Sequence, residues 1–124
     1  MKHHYIAGKW TGKSVREPIS IINPATEEVF EQVLNGTRDD ADAAVVAANI
    51  AFQVWRRMPA GSRGELLHEV ADRMKARTDE IARILTLEGG KPLKENIDEV
   101  GWCVACFRYY AEMGRNSRGR VIPG

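Results

Sequence analysis

The sequence is poor in the residues that most often carry chemistry. It has two cysteines and three histidines in 124 residues. His3, His4 and His68 lack the paired spacing of a zinc site, and His3 and His4 would point to opposite faces of an extended chain. No two glycines stand in G-x-G spacing, so no dinucleotide fingerprint or phosphate-binding P-loop can be read. An excess of charge is missing too. The 18 Lys and Arg against 17 Asp and Glu leave a net +1, which gives no footprint for a nucleic-acid partner and no polybasic membrane signal. No apolar run approaches transmembrane length, and "MKHHYIAGKW" has no apolar signal-peptide core. The expectation is a cytoplasmic protein with reduced thiols and no membrane partner.

Both cysteines fall in one stretch, "WCVACF", as Cys103-x-x-Cys106. A thioredoxin-like pair would follow a strand and open a helix, where the dipole lowers the thiol pKa. Here the pair sits inside an apolar helical pattern, and a structural zinc ion would need two more ligands. Free cysteine is among the most buried residue types, so core packing is the expected role of both. Arg115, Arg118 and Arg120 suggest a complement to a helix C-terminus before they suggest a phosphate site. Asp72, Asp79, Glu80 and His68 read as solvated helix residues. No Ser/His/Asp arrangement can be argued.

The rest of the chain has a clear rhythm. Residues 5 to 34 predict short strands near 5–10, 19–23 and 28–34, with turns at Thr11-Gly12-Lys13 and at "NPAT", where Asn23 and Pro24 suit the first two positions of a type I turn. From Thr37 the period becomes helical. Thr37 is an N-cap, acidic residues follow, and Ala41, Val45, Ala48, Phe52 and Trp55 form one apolar stripe. A second helix is expected to be capped by Ser62, with Glu65 completing a capping box, and to bury Leu66, Leu67, Val70, Ala71 and Met74. A third starts at Thr78, carries Ile81, Ile84 and Leu85, and stops at Gly89-Gly90. A fourth begins around Lys91-Pro92 and runs to Gly114 or Asn116 with Leu93, Ile97, Val100, Val104, Phe107 and Ala111 on one face. Between 102 and 110 it is apolar almost all round, so a second layer is expected to cover the Trp102, Cys106 and Tyr109 side, and the chain alone is expected to associate. "RGRVIPG" looks like the start of another strand.

"YIAGKW", "INPATEEVF", "AFQVW", "SRGELLHEVADRM", "LTLEGGKPLKEN", "FRYYAE" and "GRVIP" follow one another in this order. Together they resemble the N-terminal part of an aldehyde dehydrogenase, from about Tyr5 to Pro123. The resemblance implies an α/β fold in which residues 1–124 are β-hairpins and four helices at the start of the cofactor-binding domain. Residues 119–124 would lead toward an oligomerisation arm, and the catalytic domain would be absent. It further implies a complete enzyme, a homo-oligomer, that oxidises a small aldehyde to a carboxylic acid with NAD or NADP. The nucleophilic cysteine, the glutamate base and the cofactor segment would lie outside these residues, leaving the chain inactive by itself. In many members of that family a potassium or sodium ion is held through a backbone carbonyl before "NPA" and an acidic side chain before "GGKP" or "TGKP". By position these are Ile22 and Glu88, though many relatives have Asp at the latter. Without the resemblance, Glu88 is an exposed carboxylate at a helix end, and the chain could equally be a stand-alone helical interaction module.

Overall fold

The computed structural model describes residues 3–11 and 17–116. The single strand expected near 5–10 is instead two strands, with a turn at Ala7-Gly8 and Thr11 inside the second of them. Strands β1 (His4–Ile6) and β2 (Lys9–Thr11) form an antiparallel hairpin with Tyr5 opposite Trp10. Their two-residue loop, Ala7-Gly8, has φ of 53° and 78°. Positive φ at both positions matches the twist of a hairpin, which is why the chain turns there. The Tyr5 and Trp10 rings, edge to face at 5.1 Å, hold the two strands together. Gly12 and Lys13 of the expected turn lie outside the described residues.

Strands β3 (Ile19–Ile22) and β4 (Val29–Val33) form the second hairpin, in register from Ile19–Val33 to Ile22–Val29 with a bulge between Ile21 and Ile22. Helix α1 (Arg38–Trp55) starts as predicted at Thr37. The Thr37 hydroxyl accepts from the Asp40 N–H at 3.0 Å, and the Asp40 carboxylate accepts from the Thr37 N–H at 2.9 Å. This reciprocal box satisfies two donors that a helix start leaves open.

The chain forms two compact units, Met1–Arg57 with Ile84–Lys91, and Met58–Arg83 with Pro92–Gly124. In the first unit the expected stripe of α1 is not buried. Ala41, Val45, Ala48, Phe52 and Trp55 are exposed, while Asp40, Ala44 and Ala47 are half-buried. Val46, Ile50 and Val54 make α1 apolar on several sides, so its period does not single out one face.

The second unit is built on α2 (Ala60–Ala76) and α4 (Leu93–Asn116). Helix α2 begins two residues before Ser62, with Pro59 at the cap and no side-chain cap bond. Proline presets a φ compatible with helix entry, and Glu65 is drawn instead to Arg115 on α4 at 2.5 Å. Most of the predicted face of α4 holds: Val100, Val104 and Ala111 are buried and Leu93 and Phe107 half-buried, while Ile97 is exposed. On α2, Ala71 is fully buried, Leu67 and Met74 are half-buried, and Leu66 and Val70 stay largely open. Gly64 explains the close approach. A Cβ there would lie 2.9 Å from the Ala111 carbonyl oxygen.

Three polar links cross this helix pair in antiparallel order: Glu65–Arg115 at 2.5 Å, His68–Glu112 at 2.7 Å and Asp72–Arg108 at 2.7 Å. His68 and Asp72, expected in open solvent, are therefore tied to α4. Helix α3 (Thr78–Gly89) begins where predicted, and the Arg77 guanidinium forks onto Glu80 in its first turn. Ala82, not Ile84 or Leu85, is its buried residue.

The His68 link makes stability depend on pH. Its hydrogen bond to Glu112 holds the Glu112 carboxyl below the usual carboxylate range, with Arg115 adding to the effect and desolvation opposing it. A carboxyl whose pKa is lowered by folding stabilises the fold above its ordinary pKa of about 4.3, and that contribution is lost as pH falls through the lowered value. Thermal melts of the parent and of His68→Gln should therefore differ above pH about 5 and converge under acid. A difference that is constant across this range would contradict the coupling.

Candidate functional site

The region singled out by the cation reading is built from two chain reversals in the first unit. Strand β3 ends at Ile22, and the next residue organises a turn. The Asn23 carbonyl accepts from the N–H groups of Thr26 at 3.3 Å and Glu27 at 2.8 Å, and its side-chain oxygen accepts from the Ala25 N–H at 3.0 Å. The Asn23 N–H closes the loop onto the Glu28 carbonyl at 2.9 Å. Pro24 stands at the second position, as its fixed φ requires. Glu27 completes the reversal at φ 60°.

The second reversal ends α3. Gly90 takes φ 74°, and its N–H donates to the Thr86 carbonyl at 2.9 Å. Glu88, exposed, lies in the last helical turn, which contains no basic residue. The carbonyls of a helix C-terminus carry partial negative charge, so Glu88 adds an anion where a cation would be favoured. The two reversals touch. A Cβ on Gly90 would sit 2.6 Å from Cγ of Pro24. Pro24 is two residues past Ile22 and Gly90 is two residues past Glu88, so this contact joins the two segments. Sequence spacing gave no sign of it. A backbone carbonyl, a carboxylate and helix-end carbonyls are all oxygen donors, the kind hard cations prefer.

The other candidates are scattered. Cys103 and Cys106 are free and exposed inside α4, so the packing role expected of them is not filled by the described residues. The small residues on α2 and the line Val100, Val104 and Ala111 fill the contact between the helices. The side bearing the cysteines faces away from it, together with Trp102 (67% exposed) and Tyr109 (60%). His3 is exposed. His4 is half-buried near Gly36, with no hydrogen-bond partner for its buried Nε2 among the described residues. Arg115 is engaged by Glu65 and lies in the last turn of α4, while Arg118 and Arg120 fall outside the described residues. Among the described residues no group of three or more His, Cys, Asp or Glu could hold a metal, and no helix is long and apolar enough to cross a membrane.

Comparison with known proteins gives this arrangement its context. The sequence pattern of the aldehyde dehydrogenase family matches residues 10–124. The chain is 37% identical over 121 residues to an alpha-ketoglutaric semialdehyde dehydrogenase of Bacillus subtilis, covering 97% of this chain and 25% of the relative. It is 37% identical over 123 residues to a mitochondrial aldehyde dehydrogenase of Homo sapiens, covering 96% and 24%. Among solved structures, lactaldehyde dehydrogenase from Escherichia coli superposes with a TM-score of 0.95 at 30% identity, over 99% of this chain and 26% of that one. A betaine aldehyde dehydrogenase from Staphylococcus aureus in complex with NAD+ gives 0.92 at 32% identity, over 99% and 25%. The chain thus spans about a quarter of the length of the relatives it matches. The hairpins and four helices are those of the N-terminal part of such structures, and with the sequence match running from residue 10 onward, the chain belongs to the aldehyde dehydrogenase family.

Proposed function

We propose that these residues form the N-terminal scaffold of an NAD- or NADP-dependent enzyme that oxidises a small aldehyde to a carboxylic acid. The observation that carries this reading is the superposition of 99% of the chain on a quarter of an NAD+-bound aldehyde dehydrogenase at a TM-score of 0.92. Such an oxidation needs a thiolate to attack the carbonyl, a donor for the resulting oxyanion, and a base to activate water for release of the acid. Cys103 and Cys106 lie on an open helix surface, a setting that favours neither as the nucleophile. The nucleophile, the base and the cofactor site therefore belong to other parts of a longer, cytoplasmic, homo-oligomeric protein, and residues 1–124 alone are inactive. In a longer protein carrying this segment, aldehyde should drive reduction of NAD or NADP. A folded protein of that kind that binds the dinucleotide yet oxidises no aldehyde would overturn the assignment.

Within this scaffold the Ile22 carbonyl and the Glu88 carboxylate hold a potassium or sodium ion. One carboxylate with several carbonyls suits a single positive charge, and the ion relieves the negative end of α3. Its role is to tie the β3–β4 turn to the end of α3, not to take part in the chemistry. In the longer enzyme, Glu88→Gln should weaken the dependence of thermal stability on potassium and leave the chemical step largely unchanged. A variant with the parent's full potassium response would show that Glu88 is a surface carboxylate only.

A further inference from the structure

The stretch "LNGT" places Asn35 directly before Gly36, in the segment between β4 and α1 that is neither strand nor helix. An asparagine followed by glycine is suited to an internal reaction, attack of the glycine nitrogen on the side-chain amide. Glycine has no Cβ to hinder the approach and the widest freedom of backbone rotation. Hydrogen bonds would hold both groups back, and here they stop short of them. Thr37 and Asp40 close the capping box one residue later, whereas no hydrogen bond joins Asn35 or Gly36 to another described residue. A second observation concerns the same peptide bond. His4, on β1 in the same compact unit, is half-buried, and its buried Nε2 has no hydrogen-bond partner among the described residues. Buried polar atoms are nearly always paired, so an unpaired one beside a reactive peptide stands out. That ring edge faces Gly36: a Cβ built there would lie 3.4 Å from Nε2 and 3.5 Å from Cε1. A neutral imidazole has one nitrogen with a free lone pair, and with the proton on Nδ1 that nitrogen is Nε2. A cleft of about 330 Å³, lined by His4, Gly36, Thr37 and Asp40 among others, gives the ring room to shift toward the Gly36 nitrogen.

We propose that Asn35-Gly36 is a self-modification site at which His4 is the general base. Nε2 takes the Gly36 amide proton as that nitrogen bonds to Cγ of Asn35. The Cγ–NH2 bond breaks, and the departing nitrogen takes the proton back and leaves as ammonia. The product is a cyclic succinimide. Water opens the ring at either carbonyl, giving aspartate or isoaspartate at position 35. No electron is transferred. The product carries a new negative charge just before the N-terminus of α1, where the helix dipole favours it.

The test is a prolonged incubation near neutral pH of the chain and of the longer enzyme that carries it, followed by peptide mapping and an ammonia assay. Both should release ammonia and gain isoaspartate at position 35, and Asn35→Ser should abolish both signals. Gly36→Ala, whose added Cβ meets only the His4 ring, should slow the reaction on the order of tenfold. His4→Gln should slow it by about tenfold or more, because an amide cannot take the proton. Free imidazole should restore the rate of His4→Gln, an effect that a purely structural role for His4 would not produce. Circular dichroism should show the parent's helix content in each variant. An intact Asn35 in the longer enzyme would overturn the site. A parent-like rate in His4→Gln, or a slow variant that imidazole does not rescue, would overturn the role of His4.

Discussion

Replacing Gly64 with valine should break the packing of α2 on α4. The space for a side chain is absent: a Cβ would meet the Ala111 carbonyl oxygen at 2.9 Å, and that oxygen belongs to backbone inside a 24-residue helix. Flexible side chains can swing aside, whereas this atom moves only if the helix moves. Separating the helices would also expose Ala71 and Ala111, both now fully buried. Overpacking typically costs about 1–3 kcal/mol, and a β-branched residue against fixed backbone belongs at or beyond the top of that range. The control has the opposite sign. Gly101, in the same unit and inside α4, has nothing within 4 Å of an added Cβ. Gly101→Ala should stabilise the chain by roughly 0.5–1 kcal/mol through helix propensity alone. Denaturant midpoints of the two variants, measured side by side, should move in opposite directions. Equal or like-signed shifts would contradict the close approach.

Gly90→Val should destabilise the junction of the β3–β4 turn and the end of α3. Two effects combine. The backbone is at φ 74°, a conformation that costs an L-residue about 1–2 kcal/mol and a β-branched one more. The new Cβ would also press on the Pro24 ring at 2.6 Å, and a proline ring cannot rotate out of the way. A loss of roughly 2–4 kcal/mol is expected from strain and overpacking together. Gly89→Ala, one residue earlier with open space around it, should be close to neutral. In the longer enzyme, Gly90→Val should also blunt the potassium response, because the contact it breaks is the one joining the Ile22 and Glu88 segments.

How much of this was legible in the sequence depended on local contrast. Helix α4 was readable because its spacing is set among Lys94, Glu95, Asp98 and Glu99 in the first turns and carries on through the apolar 102–110 stretch, and Val100, Val104 and Ala111 on that line are buried. Thr37 was readable as a cap because the cap bond is local. Helix α1 was misread because it is apolar on several sides, so its period cannot name the buried one. Ser62 fits a capping box by pattern, but Pro59 starts α2 a turn earlier and Glu65 finds Arg115. The cysteines stay exposed among the described residues because the average tendency of cysteine to be buried says nothing about which helix face packs on α2. Here small residues on α2 set that face. The Pro24–Gly90 contact and the His68–Glu112 link join residues far apart in the chain, and no spacing rule reaches across such a distance.

The central claim is that residues 1–124 are scaffold and that the chemistry lies elsewhere in an aldehyde dehydrogenase. The most direct measurement is an assay of the purified chain with a panel of aldehydes and NAD or NADP, following cofactor reduction. The expected result is no turnover above buffer, both for the parent and for a variant with Cys103→Ser and Cys106→Ser. Turnover by the parent that disappears in Cys106→Ser would place the nucleophile on α4 and contradict the account.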